Sequence, residues 1–247
     1  MRILDVPYDN LRFDDAVDRL AALHGRGRPA FVSYLNIDCL RLATELPDYK
    51  AILQAADLVL PDGTALRIAT RLTGQRKADH YIITDVFVAT IGRLAARGAR
   101  FYFLGGPPGV AAAAAEVLRQ RWPDIAVVGC HDGYFSDDAA MIAEINGSGA
   151  DLLIVGTGAP RQEQWLHRYR EQLQPPCRWA VGALFTWISG HQARAPMLFQ
   201  KLYLEWFWRL LHEPRRLFVR YFVHDLPFLL SLPLRRVRAE PGTPERP

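Results

Sequence analysis

The stretch Arg100–Trp122, RFYFLGGPPGVAAAAAEVLRQRW, decides the fold class. An apolar, aromatic-rich run stops at a Gly/Pro turn, and an Ala-rich run with helical character follows. A second strand-like segment, AVVGCHDGYF (126–135), comes next. Strand, glycine turn, helix and strand in that order form one unit of a parallel sheet. The pattern repeats outward in both directions. AFVSYLN (30–36) leads into DCLRLATELPDYKAILQAA (38–56) and then LVLPDG (58–63). DLLIVGTG (151–158) leads into PRQEQWLHRYREQL and then RWAVGALF (178–185). Short apolar strands alternating with longer helices predict an α/β, Rossmann-like fold with a mostly parallel sheet flanked by helices.

Near Pro196 the character changes. Nine of the 27 aromatic residues fall between Leu198 and Phe228, in a segment that reads as helices without strands. The expected division is an α/β domain over 1–195 and a basic, aromatic-rich helical appendage over 196–247. From Arg194 onward ten Lys and Arg face five acidic residues, so most of the net charge of +4 sits in the tail. A cationic tail points to an anionic partner such as a phosphate or a membrane surface. The basic residues lie among bulky apolar ones rather than along a polar stripe, which argues against nucleic acid.

Cys39, Cys130 and Cys177 are odd in number and far apart, with neither disulfide nor zinc spacing, so a reducing cytoplasm is expected. The N-terminus lacks the apolar run of a signal peptide. The nearest approach to a membrane span, Leu217 to Leu234, is interrupted by Arg220, His224, Asp225, Pro227 and Pro233.

In an open parallel sheet, ligands gather at the carboxyl ends of the strands. Four loops carry glycine and polar residues there: Leu35–Asp38, Pro61–Gly63, Leu104–Gly109 and Gly156–Glu163. Asp62 in LPDG is either a turn former or a carboxylate held at a strand end to take a proton. The GGPPG loop, with Gly105, Gly106 and Gly109, is either a tight turn or a cradle that brings backbone N–H groups to a phosphate. It matches neither the dinucleotide nor the P-loop glycine pattern. Gln162 and Glu163 open a helix, where a carboxylate caps the dipole or accepts from a ribose diol. Tyr134 and Phe135 in HDGYF offer a stacking surface for a base, or pack inward as part of a turn. His80 and His131 read as structural. With no H-E-x-x-H, paired cysteines or Asp-x-Asp, metal-independent chemistry without a cofactor is the default.

The tail LEWFWRLLHEPRRLFVRY (204–221) places Arg216 and Arg220 each within about 20° of Arg209 on one continuous helix. Pro214 can begin a second helix and break that stripe. Arg forks suit a diphosphate. The surrounding Trp, Phe and Leu suit a membrane interface, a helical hairpin packed on the sheet, or a dimer contact.

Together these motifs resemble the WecG/TagA/CpsF family of bacterial glycosyltransferases, glycosyltransferase family 26. Seven blocks occur in the family's order: Asn36, LPDG, FLGGPPGV, DGYF, GTGAPRQEQW, SGHQARAP and LEWFWRLLHEPRRLFVRY. The resemblance implies transfer of a hexose from a UDP-sugar, N-acetylmannosamine or a relative, or glucose, to a sugar on a polyprenyl diphosphate. It implies inverting, metal-independent chemistry in cell-envelope or exopolysaccharide assembly, at the inner face of the cell membrane. Asp62 maps onto the family's general base, and Arg209, Arg216 and Arg220 onto arginines that approach the diphosphate. Asn36, Gly63, Gly105, Gly106, Gly109, Tyr134, Gly156, Gln162, Glu163 and Arg194 map onto substrate-binding blocks. Tyr34 stands where the family often has Thr, and ADHYIITDVF (78–87) keeps only Thr84 and Asp85 of the usual Arg-x-x-Gly-Ser/Thr-Asp block. A homo-oligomer is compatible with all of this. The competing functions are a non-catalytic nucleotide-binding protein docked on a membrane assembly, and a nicotinamide oxidoreductase, which the missing G-x-G-x-x-G disfavours.

Overall fold

The computed structural model describes residues 1–75, 82–192, 195, 196, 199 and 204–236, without the side chains of Glu205, Arg216, Arg235 and Arg236. Two short antiparallel strands, β1 (Arg2–Ile3) and β2 (Val6–Pro7), precede a six-stranded parallel sheet. That sheet is built from β3 (Ala30–Leu35), β4 (Leu58–Pro61), β5 (Arg100–Gly105), β6 (Ala126–His131), β7 (Leu152–Gly156) and β8 (Cys177–Ala180). Their spatial order is β4-β3-β8-β7-β5-β6. The helices between them are α1 (Phe13–Leu23), α2 (Ile37–Glu45), α3 (Pro47–Ala55), α4 (Thr64–Leu72), α5 (Ile83–Ala95), α6 (Val110–Arg121), α7 (Asp138–Gly147), α8 (Arg161–Arg168) and α9 (Leu184–Ile188).

The single helical run expected over 38–56 is two helices. Pro47 lacks an N–H and clashes with a continuing turn, so α2 ends at Leu46 and Pro47 opens α3. The strand read over 178–185 stops at Ala180, because Gly182 adopts φ 62 and α9 begins two residues later.

Alternation along the strands assigns the two sheet faces. Phe101, Phe103, Leu152, Ile154 and Trp179 pack into one core with α5 and α6. Tyr102, Leu104, Leu153, Val155 and Ala180 pack on the opposite face with α7 and α8. Both faces are covered, which is why the strands read as continuous apolar runs.

From Glu205 the described chain is helical: α10 (Glu205–His212), then α11 (Pro214–Phe218), a π-helical stretch Val219–Asp225, and α12 (Leu226–Arg236). Phe228 and Leu232 from these helices join the larger core, and Leu217 is buried.

The chain leaves β5 toward β6 in one direction and leaves β7 toward β8 in the other. The sheet therefore opens a crevice between the carboxyl ends of β5 and β7. Gly105 and Gly156 pair there. Gly105 has φ 145, and a Cβ on it would lie 2.5 Å from the Gly156 backbone.

A buried polar network ties three strand ends together. The Gln162 carbonyl oxygen accepts from the backbone N–H of Gly158 at 3.2 Å and of Gly182 at 3.0 Å. The Gln162 amide NH2 donates to Glu163 Oε1 at 2.8 Å, and the Ser33 hydroxyl donates to the same oxygen at 3.1 Å. Ser33, Gln162 and Glu163 are each 0% exposed. Burial pushes the Glu163 carboxyl up to about 7, against the hydrogen bonds from Gln162 and Ser33, which favour the anion.

Gly105→Ala should cost about 3 kcal/mol or more in denaturant unfolding, because backbone rather than a movable side chain meets the new Cβ. Glu163 gives a signed pH prediction. Its folded pKa lies above its unfolded one, so its contribution to stability is full below the ordinary value of 4.5 and is lost as pH rises through about 7. Stability of the native protein should therefore fall between acid and alkaline pH by on the order of 2 kcal/mol more than that of Glu163→Gln. Equal slopes in the two proteins would mean that Glu163 titrates normally.

Candidate active site

Pro61 ends β4 and Gly63, at φ 83, turns the chain into α4, so Asp62 is fixed between strand and helix. Its own N–H donates to the Leu35 carbonyl at 2.8 Å, which ties the ends of β4 and β3 together. Asn36 follows β3 directly and caps α2, its side-chain oxygen accepting from the Cys39 N–H at 2.8 Å. Asn36, Asp62 and Gly63 line one cavity of about 730 Å³ at this edge of the sheet, together with Gly158, Ala159 and Gly182. The Gln162 carbonyl sits behind that wall, holding Gly158 and Gly182 in place.

The C-terminal helices roof this cavity. Arg209 of α10 and Arg220 of the π-helical stretch both line it, as do Trp206, Tyr221 and Asp225. The Arg209 guanidinium lies 4.9 Å from the ring centre of Trp187, a cation–π contact between two residues that line the cavity. Arg220 approaches Asp38 at 3.4 Å and Asp225 at 3.5 Å. Burial pushes the Asp62 carboxyl up from its ordinary value, while the Ile83 N–H at 3.3 Å and the charges of Arg209 and Arg220 pull it back. A half-buried carboxylate under these opposing influences is suited to take a proton from a hydroxyl group.

The residues expected at the site are distributed unevenly. Asn36, Asp62, Gly63, Arg209 and Arg220 converge on the cavity. Gly105, Gly106 and Gly156 lie at the β5/β7 crevice beside it, and Gly109 opens α6 at φ 81. Tyr134 is 73% exposed and borders a separate hollow of about 310 Å³ with His131, Phe135 and Glu144. Gln162 and Glu163 do not reach the cavity surface and spend their hydrogen bonds on the protein. The single arginine stripe is broken: α10 ends at His212, and Pro214 starts α11. Arg216 is in α11 with its side chain outside the described residues, and Arg194 lies outside them altogether. The retained Thr84 lines the cavity, whereas residues 76–81 lie outside the described residues.

Sequence reasoning missed Trp187 and Asp225. Asp225 was visible as an acid within an otherwise apolar helical run, a pattern that calls for a partner. Tyr34, at the position where the family often has Thr, is 7% exposed and lines the cavity floor, and its hydroxyl leaves no room for a Cβ on Gly182. Among the described residues, no three His, Cys, Asp or Glu side chains are grouped to hold a metal ion. No described helix is long and apolar enough to cross a membrane.

The profile of the Glycosyl transferase WecG/TagA/CpsF family matches residues 1–241. The chain is also similar to the N-acetylglucosaminyldiphosphoundecaprenol N-acetyl-beta-D-mannosaminyltransferase of Bacillus spizizenii. The two are 30% identical over 191 residues, which is 77% of this chain and 74% of the relative. A match over almost the whole chain, on a fold that brings the aspartate of LPDG to a cavity under two arginines, places this protein in the WecG/TagA/CpsF family of glycosyltransferases.

Proposed function

We propose that the protein moves a hexose, N-acetylmannosamine-type or glucose, from a UDP-sugar to a sugar carried on a polyprenyl diphosphate, inverting the anomeric centre without a metal. The observation that carries this reading is one cavity holding Asp62, Arg209 and Arg220 together. The relative from Bacillus spizizenii supports it, since its name gives a diphosphoundecaprenol-linked acceptor and a mannosaminyl donor group. Asp62 takes the proton of the acceptor hydroxyl as the oxygen attacks the anomeric carbon. The bond from that carbon to the UDP oxygen breaks, and UDP leaves as an anion. Arg209 and Arg220 offset the phosphate charge at the mouth, in the manner of donors aimed at developing charge. The crevice at Gly105 and Gly156 with the first turn of α6 suits the nucleotide phosphates, and Tyr134 suits the base. Gln162 and Glu163 act behind the wall by fixing Gly158 and Gly182.

The acceptor's lipid would remain in the inner leaflet. This is supported by Val219, Val223, Leu226, Leu230 and Leu234, which recur three or four residues apart and are exposed, Leu230 at 68% and Leu234 at 78%. An exposed apolar stripe on basic helices suits the interface of an anionic bilayer.

Two measurements test the reading. UDP release is followed with UDP-N-acetylmannosamine and UDP-glucose, with a short-chain polyprenyl-diphosphate-linked N-acetylglucosamine as acceptor. Acceptor-dependent release should fall by about 10²–10⁴-fold in Asp62→Asn. Release that the substitution leaves unchanged would return Asp62 to a turn. Absence of release with any donor would favour a non-catalytic nucleotide-binding protein. Flotation with vesicles containing anionic lipid should show Leu230→Asp/Leu234→Asp binding at least about tenfold more weakly than the native protein. Unchanged flotation would remove the stripe from the membrane contact.

A further inference from the structure

Arg220 and Asp225 are five residues apart, a spacing that on an α-helix turns two side chains about 140° from each other. The chain between them is π-helical, with the N–H of Leu226 reaching back five residues to the Tyr221 carbonyl. This wider turn brings residues five apart onto one face, and π turns recur at functional sites. Here it sets Arg220 Nε 3.5 Å from Asp225 Oδ2.

The pair sits inside a larger cluster. Asp38 of α2 meets Arg220 at 3.4 Å from the other side and is itself held by Arg41 at 2.7 Å. Arg41 also pairs with Glu45 and lies 3.9 Å from Asp225 Oδ1. Asp225 is only 6% exposed, yet neither of its oxygens has a hydrogen bond, and the Nε groups of Arg41 and Arg220 are likewise unspent. The clasp on Arg220 is thus electrostatic and loose, whereas the Arg41–Asp38 contact beside it is close. Arg220, Asp38 and Asp225 all line the cavity.

We propose that Asp225 is a positioning residue for Arg220: with Asp38 it holds the guanidinium at the cavity mouth, and an entering diphosphate takes Arg220 over while Asp225 picks up a proton. This rests on the reading of the cavity as the site of a diphosphate-linked acceptor. Two acidic groups facing Arg220 would otherwise repel the phosphates that it has to receive. Asp225 is the one equipped to give way. Burial pushes its carboxyl up to about 6, Arg220 pulls it down, and Asp38 raises it again. A diphosphate beside it raises it further, so binding draws a proton from solvent and tightens as pH falls.

The charged and titratable groups around Asp225 are Arg220, Tyr221 and His224 on its own helix, Asp38, Cys39 and Arg41 on α2, and Asp62 and Arg209 across the cavity. Asp225→Asn leaves His224 in place, so the variant separates the carboxyl from the imidazole.

The probe is a short-chain polyprenyl-diphosphate-linked N-acetylglucosamine, a diphosphate diester that loses its acidic protons well below the range used. Calorimetric titration of the full chain should show binding about tenfold tighter at pH 5.5 than at pH 8. Asp225→Asn should bind with the acid-limit affinity at both, flat to within about twofold. Titration of the native protein near pH 7 in buffers of different ionisation enthalpy should show net proton uptake, a readout that needs no variant. Binding without proton uptake would overturn the proposal, as would the native pH profile persisting in Asp225→Asn, or that variant binding more weakly throughout. Each of these leaves the acceptor site standing. Failure of the native protein to bind the probe at any pH would remove the acceptor reading itself.

Discussion

One amide side chain holds the working edge of this sheet together. The Gln162 carbonyl uses both of its acceptor positions on backbone N–H groups, Gly158 after β7 and Gly182 after β8. Neither glycine is in a regular ladder, and both stand in the cavity wall. Without Gln162 each N–H would need another buried partner or cost about 1–3 kcal/mol. An amide is useful here only in one of its two flips, and Glu163 selects it by accepting from the NH2 group. Ser33 on β3 secures Glu163 in turn. The chain of contacts therefore runs through three adjacent strands and ends at the cavity wall, at the cost of a carboxyl buried where its charge is poorly solvated.

The three perturbed carboxyls near the site share a cause and differ in use. Burial raises Glu163, Asp62 and Asp225 alike. Glu163 is fully buried and faces other protein groups. Asp62 faces the open cavity and feels two guanidinium groups at a distance, so a carboxylate remains accessible there. Asp225 faces one guanidinium at close range and has no hydrogen bond of its own. On the proposed reading, position relative to the cavity, more than the size of any shift, separates a support from a base and from a clasp.

The architecture was legible because strands buried on both faces read as apolar runs, and several of them run into glycine or proline where the chain must turn. AFVSYLN, LVLPDG, RFYFLGG and DLLIVGTG all became strands of the sheet within a residue or two. Asp62 was legible for the same reason, since the strand-end position can be read from the turn that follows. The burial of Gln162 and Glu163 in GTGAPRQEQW was not legible. A Gln-Glu pair after a glycine loop has the chemistry of a ligand site, and only the packing of α8 under the sheet edge decides that it points inward. The grouping of Arg209 with Arg220 was anticipated from a straight helix, but the protein reaches it by breaking that helix at Pro214 and widening a later turn. Local spacing cannot foresee two compensating irregularities.

The C-terminal helices face two ways, and this constrains how an acceptor reaches Asp62. Phe228 and Leu232 turn inward to the core, while Leu230 and Leu234 turn out. Arg220 and Leu230 are ten residues apart, roughly 15 Å along the helix axis. On the proposed reading, a bilayer that takes up Leu230 and Leu234 lies about that distance from the guanidinium at the cavity mouth. A diphosphate joined to a lipid sits at the membrane surface, with its first sugar directly above. It can meet Arg220 without leaving the interface, and only the sugar has to enter the cavity toward Asp62. A soluble enzyme with the same cavity would have to draw the whole lipid out of the bilayer, where each buried methylene costs about 0.8 kcal/mol to expose. On that same reading, placing the membrane contact and the arginine on one continuous helix removes that cost, and it gives a reason for basic and apolar residues being interleaved in the tail rather than kept apart.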